Sequence, residues 1–147
     1  ERSLKKLAGE LGIANRVDFV GTVPYEEVPS YLKAADIFAF ASTTETQGLV
    51  TMEAMAAGLP IVAVNATGTR DAVTNGEDGL LTENNSADLA QAMNRVIDNQ
   101  ELRGQLVSGG TTRVECFGID HQAERMLDAY DQAITAKQEN RYIRVRD

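Results

Sequence analysis

The chain of 147 residues has one cysteine, one histidine and no tryptophan. A single thiol, Cys116, excludes an internal disulfide and any Cys-x-x-Cys redox or zinc motif. His121 cannot by itself make a multi-histidine metal site, nor can these residues alone supply a histidine-based triad. It falls early in a helical pattern and reads as a surface residue. Aromatic residues make up only 5%, so no stacking platform for single-stranded nucleic acid is evident. Basic residues are outnumbered, 14 against 22 acidic ones, which leaves a net charge of −8 and a pI near 4.7. Binding DNA or RNA would have to overcome that repulsion, and no adequate basic cluster exists. The nearest, Arg141, Arg144 and Arg146, reads as a solvated chain end. No apolar run approaches the ~18 residues that span a bilayer, and no signal peptide opens the chain. The expectation is a cytoplasmic protein whose true N-terminus lies upstream, since the sequence starts inside an amphipathic helix.

What is present fits one soluble globular domain, with 43% hydrophobic and 24% charged residues. Leu4, Leu7, Ala8 and Leu11 recur at helical spacing, with Gly12 as a stop. Val17, Phe19 and Val20 form a short apolar strand ending at Gly21. Pro24 and Pro29 mark a loop, and Pro29 suits the first turn of a helix through Tyr31, Leu32 and Ala35. The run Ile37-Phe38-Ala39-Phe40-Ala41 predicts a strand covered on both faces. A helix rich in alanine starts near Gly48, is capped by Gly58, and gives way at Pro60 to a buried strand over residues 61–64. Thr67-Gly68 opens a short helix, and Asn75-Gly76 and Asp78-Gly79 frame a strand at Leu80-Leu81. Ser86 reads as the N-cap of an amphipathic helix, with two more helices to follow. Strands alternating with helices predict a doubly wound, parallel, Rossmann-like α/β sheet with trailing helices.

The stretch with most chemical content is Thr44 to Ala63, where Glu45 and Glu53 straddle a loop-to-helix junction. Gly48 lets backbone amides approach an anion, and a helix N-terminus favours negative charge there. Glu45 precedes that point, and Glu53 follows about a turn and a half into the helix, at ~3.6 residues per turn. The pattern suits a phosphorylated sugar with carboxylates for hydroxyl groups on either side. The plainer alternative is an acidic helix start that complements the dipole without a ligand. Met52, Met55, Met93 and Met126 read as packing residues, Tyr31 as core, and Arg70 as an exposed helix arginine.

These residues resemble the C-terminal half of a retaining glycosyltransferase of the GT-B fold, in the group 1 or family 4-like set. Three features carry the likeness. Glu45-x7-Glu53 runs into Ala54-Met55-Ala56-Ala57-Gly58-Leu59-Pro60-Ile61-Val62-Ala63. Asn75-Gly76-Glu77-Asp78-Gly79-Leu80-Leu81 forms a second motif. Ala87-Asp88-Leu89-Ala90, with Asp98 and Leu102-Arg103 downstream, forms the third. Thr43-Thr44-Glu45-Thr46-Gln47-Gly48-Leu49 looks nearer to bacterial diacylglycerol glucosyltransferases. Where many members carry paired glycines, this chain has Thr67-Gly68, and Asp71 stands where a glutamate is common.

The resemblance implies a donor site. Glu45 would contact the donor sugar near its anomeric carbon and Glu53 the nucleotide ribose. The amides of Gly48, Leu49 and Val50 would hold the diphosphate, with Gln47 beside them, and Val23-Pro24 would lie by the nucleobase. The implied donor is a nucleotide sugar, UDP-glucose by default, and the acceptor a glycolipid or saccharide. Neither metal nor cofactor is expected. The resemblance also implies that residues 1–147 are one partial domain, lacking its first two strands and the N-terminal acceptor domain. The isolated chain would then be inactive. Its residue 17–20 strand would re-pair directly with the 37–41 strand or swap into a homodimer. The complete enzyme could sit at the inner face of a membrane through the missing half. Two alternatives keep less of this picture. One is a GT-B nucleotide-sugar epimerase or phosphorylase, and the other a non-enzymatic α/β module that binds a partner. The second fits poorly, because Asp36 precedes its strand instead of ending it.

Overall fold

The computed structural model describes residues 1–139, so the arginines at 141, 144 and 146 lie outside the described residues. Two compact units result, Glu1–Tyr31 and the chain from Leu32 onward. In the first, α1 (Arg2–Glu10) is followed by a 3-10 turn at Ala14–Arg16. Gly12 takes φ 69° just beyond the helix, a conformation that stops helix growth at little cost to glycine. Residues 17–20 carry no strand bonds, and Val20 is exposed. The expected strand is therefore absent among the described residues. An apolar triplet becomes a strand only when a neighbour completes its ladder, and none does among the described residues. A 3-10 turn at Tyr25–Glu27 leads into α2 (Val28–Lys33), with Pro29 in its first turn as expected. Tyr31, read as core, is 48% exposed.

The second unit is built on a three-stranded parallel sheet in the order β1 (Phe38–Phe40), β2 (Ile61–Val64), β3 (Leu80–Thr82). Phe38 faces Ile61, and Val62 faces Leu80. Side chains alternate along a strand, so β2 feeds two cores. Ile61 and Ala63 pack with Ala54, Met55, Leu59, Ala72 and Val73. Val62 packs on the opposite face with Leu80, Ala92, Val96 and Leu106. All four β2 residues are buried, as the apolar run at 61–64 predicts for a central parallel strand. β1 departs from its expected cover on both faces. It is an edge strand whose Phe38 and Phe40 are half-buried and stacked 5.7 Å apart, while Ala39 is exposed. Among the described residues it pairs only with β2.

Helices cover both faces. α3 (Leu49–Ala56) and α4 (Thr67–Ala72) contribute Ala54, Met55 and Ala72 to the first core. α5 (Ser86–Asp98) contributes Ala92 and Val96 to the second. The α5 cap is Asn85 instead of the expected Ser86: its side-chain oxygen accepts from the Asp88 amide at 2.9 Å. α3 ends as its sequence requires. Gly58 takes φ 82°, its N–H donates to the Met55 carbonyl and that of Leu59 to Ala54, which is a Schellman closure. Pro60 follows and ends the helical path.

α6 (Gln100–Cys116) runs past both layers: Leu102 and Leu106 join the second core, while Gly110 and Val114 lie against the first. α7 (Ile119–Gln138) is the last helix. Its Leu127, Tyr130 and Ile134 recur at helical spacing but are exposed, and Met126, read as a packing residue, is 58% exposed. No helix among the described residues is long and apolar enough to cross a membrane.

Candidate functional site

The loop after β1 enters α3 through Gly48, which adopts φ 68° as the N-cap. That left-handed conformation turns the loop amides inward, and it suits glycine. Glu45 folds back over them. Its Oε1 accepts from the amides of Thr46 at 2.9 Å, Gln47 at 3.0 Å and Gly48 at 3.0 Å. Three successive N–H groups on one carboxylate oxygen form an anion-binding nest, here filled by the chain's own anion. The next two amides, Leu49 and Val50, are the first of α3 and have no acceptor among the described residues. Unpaired N–H groups at this position carry the positive end of the helix dipole. Glu53 follows one turn further along, half-buried. Glu45, Gln47, Gly48, Leu49, Val50 and Glu53 thus lie on one continuous segment, from the loop through the first turns of α3. Val23 and Pro24 lie in the first unit, just before the 3-10 turn.

The hydrogen bonds from Gln47, Gly48 and Thr46, in that order of weight, hold the Glu45 carboxyl below its usual range. A lowered folded-state pKa means the native state prefers the carboxylate. That contribution is therefore complete above the ordinary glutamate pKa and fades as pH falls through the depressed value. Asp78 acts with the opposite sign, because burial raises its pKa against the pull of the Thr74 amide and Arg113. It costs stability at neutral pH and ceases to do so in acid. Glu45→Gln keeps an acceptor oxygen without the ionisation. It is expected to flatten the loss of stability between about pH 6 and pH 3, read from urea midpoints. Asp78→Asn should steepen that loss, and an unchanged slope in both variants would contradict these assignments.

The loop is backed by α4. The Gly68 N–H donates to the Glu45 carbonyl at 3.0 Å. A Cβ at Gly68 would lie 2.6 Å from that oxygen, and one at Gly48 would lie 2.4 Å from the Ala72 Cβ. Loop and helix therefore touch at both ends of α4, backbone to backbone at Gly68 and against the Ala72 methyl at Gly48. The α4 helix is tied in turn to the 74–79 turn and to α6. Asp78, buried, accepts from the Thr74 N–H at 2.7 Å and pairs with Arg113 at 3.3 Å. Arg113 also donates to Thr74 Oγ1 at 3.1 Å and to the Asp71 carbonyl at 3.0 Å. The sequence motifs marked Gly68 and the Asn75–Leu81 turn as local features only. Nothing in the sequence pattern singled out Arg113, which lies on a helix with four glycines or threonines around it.

The profile of glycosyl transferases group 1 matches residues 1–113. The chain belongs to this family. It is 37% identical over 131 residues to D-inositol 3-phosphate glycosyltransferase of Thermomonospora curvata, covering 88% of the chain and 30% of that protein. Among solved structures, it superposes on sucrose-phosphate synthase of Thermosynechococcus elongatus with TM-score 0.80 and 32% identity, over 92% of the chain and 34% of its counterpart. On Anabaena HepE in complex with UDP-glucose the TM-score is 0.75 at 30% identity, over 87% and 36%. The chain thus spans about a third of the length of these glycosyltransferase relatives. The curated relative is named for an inositol phosphate, not for diacylglycerol. The Rossmann-like parallel sheet and the GT-B type expected from the sequence both stand.

Proposed function

We propose that residues 1–139 hold the nucleotide-sugar site of a retaining glycosyltransferase that moves a hexose from a nucleoside diphosphate to a hydroxyl acceptor. The carrying observation is the set of five successive amides, Thr46 to Val50, at the start of α3. Three are filled by an internal carboxylate and two are open. Such a row suits a diphosphate. In this reading Leu49 and Val50 take the diphosphate first. Glu45 swings from its own loop to the hydroxyls of the donor sugar and releases the Gly48 amide to the same phosphate, with Gln47 lining the approach. Glu53 accepts from the ribose. As the glycosidic bond to phosphate breaks, positive charge grows on the sugar ring and negative charge on the leaving group. Glu45 and the fixed amides are matched to these two charges. The reading needs no metal or cofactor. UDP-glucose is the first donor to test, supported by a family neighbour solved with it. Glycolipid and saccharide acceptors belong in the same panel as phosphorylated polyols, in line with the curated relative's name.

The test uses the complete protein that carries this chain, titrated with nucleoside diphosphates and nucleotide sugars. Glu53→Ala should weaken nucleotide binding by roughly 10- to 100-fold, the cost of a hydrogen bond to a charged group. Glu45→Ala should keep nucleotide binding and lose turnover. Wild-type behaviour in both variants sinks the roles. Nucleoside diphosphate released with sugar isomerisation, and no sugar transferred, would favour the epimerase reading instead. The 147-residue chain alone should show no transfer.

A further inference from the structure

We propose that Arg113 is a positioning residue for the donor loop, although it lies on α6 and makes none of that loop's contacts. The inference rests on the proposed donor site and names what holds it in shape. α4 is only six residues long, too short to be stable by itself, so its position depends on what fastens its ends. At its C-terminal end, the Asp71 carbonyl is beyond the reach of any further helical N–H, and the Arg113 guanidinium supplies the missing donor at 3.0 Å. A cation there also matches the negative end of the helix dipole. At the N-terminal end of α4 the Gly68 N–H holds the Glu45 carbonyl, and at the C-terminal end Ala72, next to Asp71, abuts Gly48. One guanidinium thus fastens the C-terminal end of a helix that meets the loop at both ends, at Glu45 through Gly68 and at Gly48 through Ala72.

Arg113 is itself held firmly. Asp78 and Thr74 Oγ1 fix its charge and planar fork, and its face rests 5.9 Å from the Phe117 ring. The α6 helix is seated on the 74–79 turn, where Gly109 is in backbone contact with Glu77 and Gln105 donates to the Gly76 carbonyl at 3.1 Å. The connection is contiguous and short: α6, guanidinium, α4, loop. A lysine would keep the charge but could not serve three acceptors from one plane.

The experiment compares Arg113→Gln, Arg113→Lys and Val96→Ala in the complete protein. Val96 is fully buried in the other core, so its truncation destabilises without touching the chain of contacts. Hydrogen exchange is read at the Gly48 and Gly68 amides and at α5, and affinity is measured with UDP. In Arg113→Gln, Gly48 and Gly68 should exchange roughly tenfold faster than in Val96→Ala while α5 does not, and UDP should bind roughly five- to tenfold more weakly. Arg113→Lys should fall between, and it stands in if the glutamine variant does not fold. Equal exchange at Gly48 and Gly68 in the arginine variants and Val96→Ala overturns the positioning role. Faster exchange at those glycines with no UDP binding even in wild type would instead leave the role intact and remove the donor-site reading.

Discussion

Alanine at Gly109 is expected to destabilise the protein by about 2 kcal/mol, while alanine at Gly104 of the same helix stabilises it by up to about 1 kcal/mol. Both exchanges gain the intrinsic helix preference of alanine over glycine, about 1 kcal/mol. They differ in what the new methyl group meets. At Gly104 nothing lies within 4 Å. At Gly109 the methyl would lie 2.2 Å from the Glu77 carbonyl oxygen and 2.9 Å from its carbon. Those are backbone atoms of a turn already fixed by Asp78, Thr74 and Arg113, so no side chain can rotate away. Forced overpacking of this kind costs about 1–3 kcal/mol and occasionally more. Urea midpoints of the two variants, with unchanged m-values, give the comparison directly. If Gly109→Ala is neutral, the α6 helix is not docked on the 74–79 turn as described.

The elements that were legible in the sequence are those whose signals are local. Gly48, Gly58 and Pro60 bound α3 because positive φ and a missing N–H act at the residue that carries them. The apolar run at 61–64 became a central strand because both of its neighbours are present. The same type of signal failed at residues 17–20 and only half succeeded at β1, where pairing partners decide the outcome. A strand is a property of two segments, and the periodicity of one cannot supply the other. Exposure went wrong for a related reason. Tyr31 and Met126 have the right chemistry for a core, but burial depends on what lies opposite, which sequence spacing does not encode.

The candidate site divides in the same way. Glu45, Gly48 and Glu53 are within nine residues of one another, and their helical phase alone places them around one helix start. That Glu45 lies on its own amides in the free chain was not legible, since it depends on the αL turn at Gly48 and on how closely α4 backs the loop. Gly68 shows the limit well. Seen as sequence, it is a departure from a paired-glycine pattern. In three dimensions its hydrogen atom occupies the space between two backbones, and its amide carries the carbonyl of the residue proposed to face the sugar.

That dual role makes Gly68→Ala the sharper functional prediction. The added methyl would lie 2.6 Å from the Glu45 oxygen and 2.7 Å from both the Glu45 and Thr46 carbonyl carbons. The loop must retreat, and its displacement breaks the 3.0 Å bond from the Gly68 amide. Stability falls by about 1–3 kcal/mol, as for other crowded sites. The larger consequence is for the ligand, because a displacement of about 1 Å at a positioning group can cost on the order of 100-fold in rate. Donor binding in the complete protein should therefore weaken at least tenfold, about 1.4 kcal/mol, under conditions where the variant remains folded. Turnover should fall further than binding, since Glu45 is placed by the same carbonyl. Thermal denaturation and UDP titration on one preparation separate the two effects. A variant that loses stability yet binds and turns over like wild type would show that the Glu45 loop does not depend on α4, and with it the donor site would lose its scaffold.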